Sequence, residues 1–181
     1  AGRFLTVLFP HDEVRILDYN RVVYDWGATT PQAFLETLGQ KFIVEPVRGR
    51  GHETGKPERV HRFGMYLDGT WYQLTSKPGT FDHTDPLSRL DVNILQNNLL
   101  APLLGIQDPR TDKRIGFVGG IRGMAELRRL VDSGRAVVAF ALYPTSIEEL
   151  MLVADANEIM PPKSTWFEPK LRDGMVIHTL E

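Results

Sequence analysis

Apolar and polar positions along the chain change period several times, and each change marks an element. Phe4-Leu5-Thr6-Val7-Leu8-Phe9 is a short apolar run that stops at Pro10, the pattern of a buried strand. It enters without cap or turn, which leads us to expect that a larger N-terminal half precedes it. After the polar turn His11-Asp12-Glu13, residues Val14 to Tyr24 are rich in β-formers. Thr30-Pro31 then offers an N-cap with proline at the first helical position, Ala33, Phe34, Leu35 and Leu38 make one apolar face, and Gly39 ends the helix. A short strand is expected from Phe42 to Val47.

From Arg48 to Arg62 glycines, prolines and cations accumulate with few apolar anchors, so this loop is expected to be the least ordered region. Phe63 to Leu67, Asp68-Gly69 and Thr70 to Thr75 read as a hairpin, because Asp-Gly accepts the positive φ angles of a type I′ turn. Asp85-Pro86 is read as the start of a helix with Leu87, Leu90, Ile94, Leu95 and Leu99 at helical spacing, disrupted by Pro102 and Gly105. The last third alternates: strand Ile115 to Val118, helix Met124 to Val131, strand Ala136 to Leu142, helix Ile147 to Ala156, strand Met175 to Leu180. Thr145 and Glu148 are read as a capping box for the second of these helices. The pattern predicts an α/β fold, with α+β as the neighbouring class: a mixed sheet containing one hairpin, with helices packed on it.

Length and charge narrow the partners. The 181 residues, 42% of them hydrophobic, suit a single domain spanning 1–181 at roughly 100 to 200 residues per domain. Twenty-one basic residues against 23 acidic ones leave a formal charge of -2, which disfavours nucleic acid and anionic membrane surfaces as partners. No apolar run approaches the ~18 residues of a membrane span, and we expect a cytoplasmic protein. Without cysteine there is no disulfide framework, thiolate nucleophile or cysteine zinc site.

Several tempting motifs fail on mechanics. Gly51-His52-Glu53-Thr54-Gly55-Lys56-Pro57 has its first glycine one residue too close for a phosphate loop, and Pro57 replaces the hydroxyl that would hold magnesium. Gly116, Gly119, Gly120 and Gly123 flank a strand-to-helix junction without the dinucleotide spacing; close packing competes there with an anion site in which Arg122 would take part. The five histidines are scattered, and no metal site is expected from their spacing. Two segments hold polar groups that a structural role alone explains poorly. Asp18-Tyr19-Asn20-Arg21 interrupts a strand, making Asn20 and Arg21 candidates. Met160 to Lys170 is a proline-stiffened loop in which Lys163, Ser164 and Thr165, with Lys170, could converge on a phosphate or carboxylate. The competing reading is a rigid connector with Trp166 and Phe167 as anchors.

These same segments carry a family resemblance. Leu8-Phe9-Pro10, Ile16 to Val23, Phe63 to Gly69, Asp108-Pro109-Arg110-Thr111-Asp112, Phe117 to Gly120, Phe140 to Thr145 and the Pro162 to Lys170 loop resemble the C-terminal half of the domain of unknown function 1015 family. Members of that family carry, in an N-terminal half, an Asp-Gly-His-His-Arg motif similar to that of ParB-like nucleotidases and free-serine kinases; it is absent here. The family is often encoded beside serine-biosynthesis genes. The resemblance therefore implies the C-terminal half of a small-molecule phosphotransfer or nucleotidase-type enzyme linked to serine or amino-acid metabolism, with ATP or ADP and magnesium as cofactors of the intact protein. The alternative is a non-catalytic metabolite-binding or protein-interaction module. Either way the partner expected is a small-molecule ligand, catalysis by this chain alone is not expected, and the strand at Phe4 to Phe9 could pair two copies into a homodimer.

Overall fold

A computed structural model describes residues 10–49, 51 and 53–170, together with Thr6 and Leu8. The strands expected at Phe4 to Phe9 and Met175 to Leu180, and with the first of them the strand-mediated homodimer, lie largely or wholly outside those residues. The described chain runs β1 (Arg15–Leu17), β2 (Tyr19–Val23), α1 (Pro31–Leu38), β3 (Phe42–Pro46), β4 (Arg62–Leu67), β5 (Thr70–Ser76), α2 (Asp91–Leu95), α3 (Ala101–Leu104), β6 (Ile115–Gly119), α4 (Gly123–Asp132), β7 (Val138–Ala141), α5 (Ile147–Asp155) and β8 (Trp166–Glu168).

Six strands form one sheet in the order β3-β5-β4-β7-β2-β6, and β1 pairs with β8 in a separate two-stranded ladder. The ladders among the described residues are antiparallel. The strand and helix alternation of the last third survives as β6–α4–β7, whose two strands run the same way but flank β2, which opposes both. The result is an α+β fold with helices packed on a sheet. Side-chain alternation divides the core between the two faces. Phe63, Met65, Leu67, Val138 and Phe140 turn toward a cluster shared with α1, α2 and α3, whereas Tyr66, Ala139, Ala141, Val22 and Val118 meet Met124, Leu127 and Leu130 of α4. Among the described residues no helix is long and apolar enough to cross a membrane.

Several expectations hold in detail. Thr30 Oγ1 accepts the Ala33 N–H at 3.2 Å, with Pro31 next to it at the helix start. Asp68 and Gly69 take φ of 46° and 76°, as the type I′ turn requires.

Others are corrected. The helix expected from Asp85-Pro86 begins only at Asp91. Asp85 instead spends its carboxylate on the Leu87 and Ser88 N–H groups, closing a local turn, and Leu90 is extended (ψ 132°). Nor does Pro102 end that helix. The chain widens over Gln96–Leu100, where the Ala101 N–H reaches back five residues to Gln96 O, and this π turn absorbs the donor that proline lacks. The capping box lies one residue later than expected, between Ser146 and Glu149, which leaves the Thr145 hydroxyl free to bond Ser164 O.

The Arg48 to Arg62 loop is anchored as well. Pro57 is buried, and Gly55 (φ 83°) lies flat on the Trp71 indole, where a Cβ would come within 2.3 Å of the ring. Gly64 makes room for that approach, since a Cβ there would meet Gly55 O at 1.8 Å.

Candidate functional site

The candidate residues gather at the end of the sheet where β2 begins. Asn20 and Arg21 are neighbours on one strand and therefore face opposite sides. Asn20 is fully buried, accepts the Leu142 N–H at 2.9 Å through Oδ1 and donates through Nδ2 to the Asp18 carboxylate. It thus extends the β2–β7 ladder by one side-chain bond where β7 turns away, and both ends of its amide are occupied.

Arg21 projects to the other face and is 4% exposed. NH1 donates to Tyr19 O at 2.5 Å, NH2 donates to Lys163 O at 3.0 Å, and the guanidinium lies 4.7 Å from the centre of the Phe117 ring. Burial lowers Arg21 from its ordinary value to about 9, and the one charge interaction opposing that shift comes from Tyr19 rather than from a carboxylate. The group remains cationic at neutral pH, and two carbonyls and a ring compensate it only in part. Buried arginines ordinarily face carboxylates or bound anions. This one lines a cavity of about 320 Å³, whose other walls include Asn93 and Gln96, the turn Asp108 to Arg110, and Pro161-Pro162.

The rim of the cavity carries a second guanidinium. Arg110 forks onto Asp108 through Nε (3.0 Å to Oδ1) and NH2 (3.0 Å to Oδ2), while Asp108 also accepts the Arg110 backbone N–H. These bonds from Arg110 hold Asp108 below its ordinary range. Four residues on, Asp112 and Arg114 repeat the arrangement, and there Arg114 also donates to Leu104 O and Gly105 O at the end of α3. The spacing Asp-x-Arg, twice in seven residues, is the sequence signal for this rim.

The Met160 to Lys170 loop reaches the same cavity with its prolines rather than with its donors. Lys163 has φ of 57°, its carbonyl faces Arg21, and its ammonium lies 5.6 Å from the Tyr19 ring. Ser164 is buried, its hydroxyl donates to Pro161 O, and its carbonyl accepts from Thr145. Thr165 is half-buried beside it. Trp166 packs edge-on against Tyr19 and flat against Gly119, where a Cβ would come within 2.4 Å of the indole. Lys170 stands 4.5 Å from the Trp166 ring centre, outside the cavity walls. Arg122 is exposed in the short turn before α4 and does not line the cavity either. Of the seven candidates, then, Arg21 alone presents its side chain to the cavity, and Lys163 meets it through the backbone.

Among the described residues no group of three or more His, Asp or Glu side chains is placed to hold a metal ion. Asp108, the one carboxylate that the described residues place in the cavity wall, is already engaged by Arg110.

Fold and cavity together describe an α+β protein with an unneutralised arginine at the end of its sheet. The chain belongs to the family described as protein of unknown function (DUF1015), whose model matches residues 1–93. No curated protein matches it. Among solved structures, a free serine kinase in complex with AMP is similar with a TM-score of 0.50 at 13% identity, over 86% of this chain and 54% of that chain. A conserved hypothetical protein from Pyrococcus furiosus is similar with a TM-score of 0.48, also at 13% identity, over 86% of this chain and 56% of that one. The chain thus spans about half the length of these solved proteins. At this identity the likeness is one of fold.

Proposed function

We propose that this chain is the ligand-binding C-terminal half of a small-molecule phosphotransfer enzyme, and that the Arg21 cavity holds an anionic group of its ligand, a phosphate or a carboxylate. One observation carries the reading: a nearly buried guanidinium that lines a cavity in which, among the described residues, the one carboxylate, Asp108, is paired with Arg110 instead. An oxyanion there would gain charge-assisted hydrogen bonds in a site already shielded from water. The fold shared with a kinase solved with AMP supports a nucleotide as one source of that anion in the intact protein, and such an enzyme of amino-acid metabolism would work in the cytoplasm. Magnesium does not fit this cavity, because the single carboxylate that the described residues place there is committed to Arg110.

The binding-only alternative rests on that same feature. With Asp108 engaged, the cavity walls hold no free carboxylate to act as a general base. Both readings agree that this chain captures a ligand.

The test is calorimetric titration of the chain with inorganic phosphate, AMP, ADP and O-phosphoserine, for the wild type, Arg21→Gln and Arg21→Lys. Phosphate-bearing ligands should bind the wild type, and both variants should lose about ten- to a hundredfold in affinity, the scale of a lost charge-assisted contact. Lysine keeps the charge but not the fork, so it should not restore full affinity. Variants that stay folded and bind like the wild type would overturn the reading.

A further inference from the structure

We propose that Lys163 serves the anion site through its backbone carbonyl, as the residue that positions the Arg21 guanidinium, and not through its ammonium. The inference rests on the reading of the Arg21 cavity given above.

Two carbonyls hold the guanidinium, Tyr19 O on NH1 and Lys163 O on NH2. Together they take two of its five N–H groups. Tyr19 lies on the same strand two residues away and gives Arg21 only a local contact. Lys163 is 142 positions distant in sequence, and its carbonyl ties the sheet to the proline loop that walls the cavity. With the Phe117 ring against the guanidinium, these contacts fix the plane of the fork before any ligand arrives.

The loop is built to present that carbonyl. Pro161 and Pro162 restrict the backbone ahead of it, the Ser164 hydroxyl closes the turn onto Pro161 O, and Thr145 bonds Ser164 O at 3.1 Å. Lys163 itself adopts φ of 57°, a region that residues with a Cβ seldom occupy. Meanwhile the Lys163 side chain is exposed, absent from the cavity walls, and 5.6 Å from the Tyr19 ring. What the cavity receives from this residue is therefore a backbone conformation.

That distinction can be measured, because glycine and asparagine accept positive φ whereas a β-branched side chain resists it. Lys163→Gly, Lys163→Asn, Lys163→Val and Arg21→Lys are titrated with inorganic phosphate at a temperature where all are folded, and the Arg21 guanidinium signals are followed by NMR. Lys163→Gly and Lys163→Asn should keep wild-type affinity within about twofold and a single ordered guanidinium. Lys163→Val should lose about tenfold, the scale of one charge-assisted hydrogen bond, and its Arg21 signals should broaden. If glycine and asparagine lose as much as valine, the ammonium makes the contact and the inference is overturned. It is overturned equally if valine binds like the wild type while Arg21→Lys still loses affinity. Should Arg21→Lys bind phosphate normally, the cavity reading itself fails, an outcome distinct from the other two.

Discussion

Asp91 shows how much one residue can reveal at the smallest scale. It is 8% exposed, Oδ1 accepts the His61 backbone N–H at 2.7 Å, and Oδ2 is buried with no partner. Desolvation, reinforced by the nearby Glu149, pushes it from 3.8 up to about 8 against the opposing His61 bond. Between those values the folded protein holds a proton that the unfolded chain releases, so this group's stabilising effect is complete below about pH 4 and fades as the pH rises to about 8. His61, whose own value burial lowers, acts in the opposite sense at and below its ordinary 6.5, so the Asp91 effect is read between pH 6.5 and 8. Thermal melts of the wild type should fall over that interval. Those of Asp91→Asn, which keeps the acceptor for His61 and removes the charge, should stay level. A wild-type profile as flat as the variant's would show that Asp91 is already ionised at pH 6.5. Arg21 poses the same problem with the opposite charge, and there a cavity lies beside the buried group.

At the scale of elements, what could be read from the sequence followed the range of the interaction that decides it. The hairpin at Asp68-Gly69 and the Thr30-Pro31 start of α1 depend on residues within four positions of each other, and both stand where the pattern puts them. The false start at Asp85 is local too, but there two signals compete: an aspartate that can cap a helix can also close a turn on its own backbone. In the Arg48 to Arg62 loop the contacts of the described residues lie elsewhere in the chain, beyond the reach of local pattern. Few apolar residues occur within it, yet Gly55 finds Trp71 on β5 and a vacancy over Gly64 on β4. This packing predicts an asymmetry between glycines that look alike in sequence. Gly64→Ala must displace the Gly55 carbonyl and should cost about 1–3 kcal/mol or more, as overpacking does. Gly79 has open space at its Cβ position, but its φ of 77° limits alanine there to backbone strain of about 1–2 kcal/mol. Denaturant melts measure these costs, and hydrogen exchange separates the two by location: Gly64→Ala should also deprotect Thr54 and Lys56, whose amides bond within the loop. Unchanged protection there would mean that the loop does not depend on the Gly64 notch.

At the scale of the whole molecule, the site is the place where several distant segments fail to neutralise one charge. Sequence reasoning reached Arg21 because a polar residue stood in a strand, and it reached Lys163 because donors stood in a row. It missed Asp108, Arg110 and Gln96, which approach the cavity only through the packing of α2 and the β6-side turn against the sheet. The whole fold therefore predicts how stability and binding should separate. Burial lowers Arg21 to about 9, so the charged form is a net burden on the unliganded fold. Removing the charge relieves that burden but leaves the Tyr19 and Lys163 carbonyls without their donor, and the two effects oppose each other. Arg21→Met, which fills similar space without charge, should thus melt within about 4 °C of the wild type in the absence of ligand, since about 1 kcal/mol shifts a domain of this size by 2–4 °C. Phosphate should separate the two proteins. At a hundredfold excess over the wild type's dissociation constant it would add about 2.7 kcal/mol to the wild type but, after a ten- to hundredfold loss of affinity, only about 0.4–1.4 kcal/mol to Arg21→Met, raising the melting temperatures by about 5–10 °C and about 1–6 °C respectively. A variant that melts far below the wild type before phosphate is added would make Arg21 a structural residue. Equal stabilisation of both by phosphate would place the anion elsewhere on the molecule.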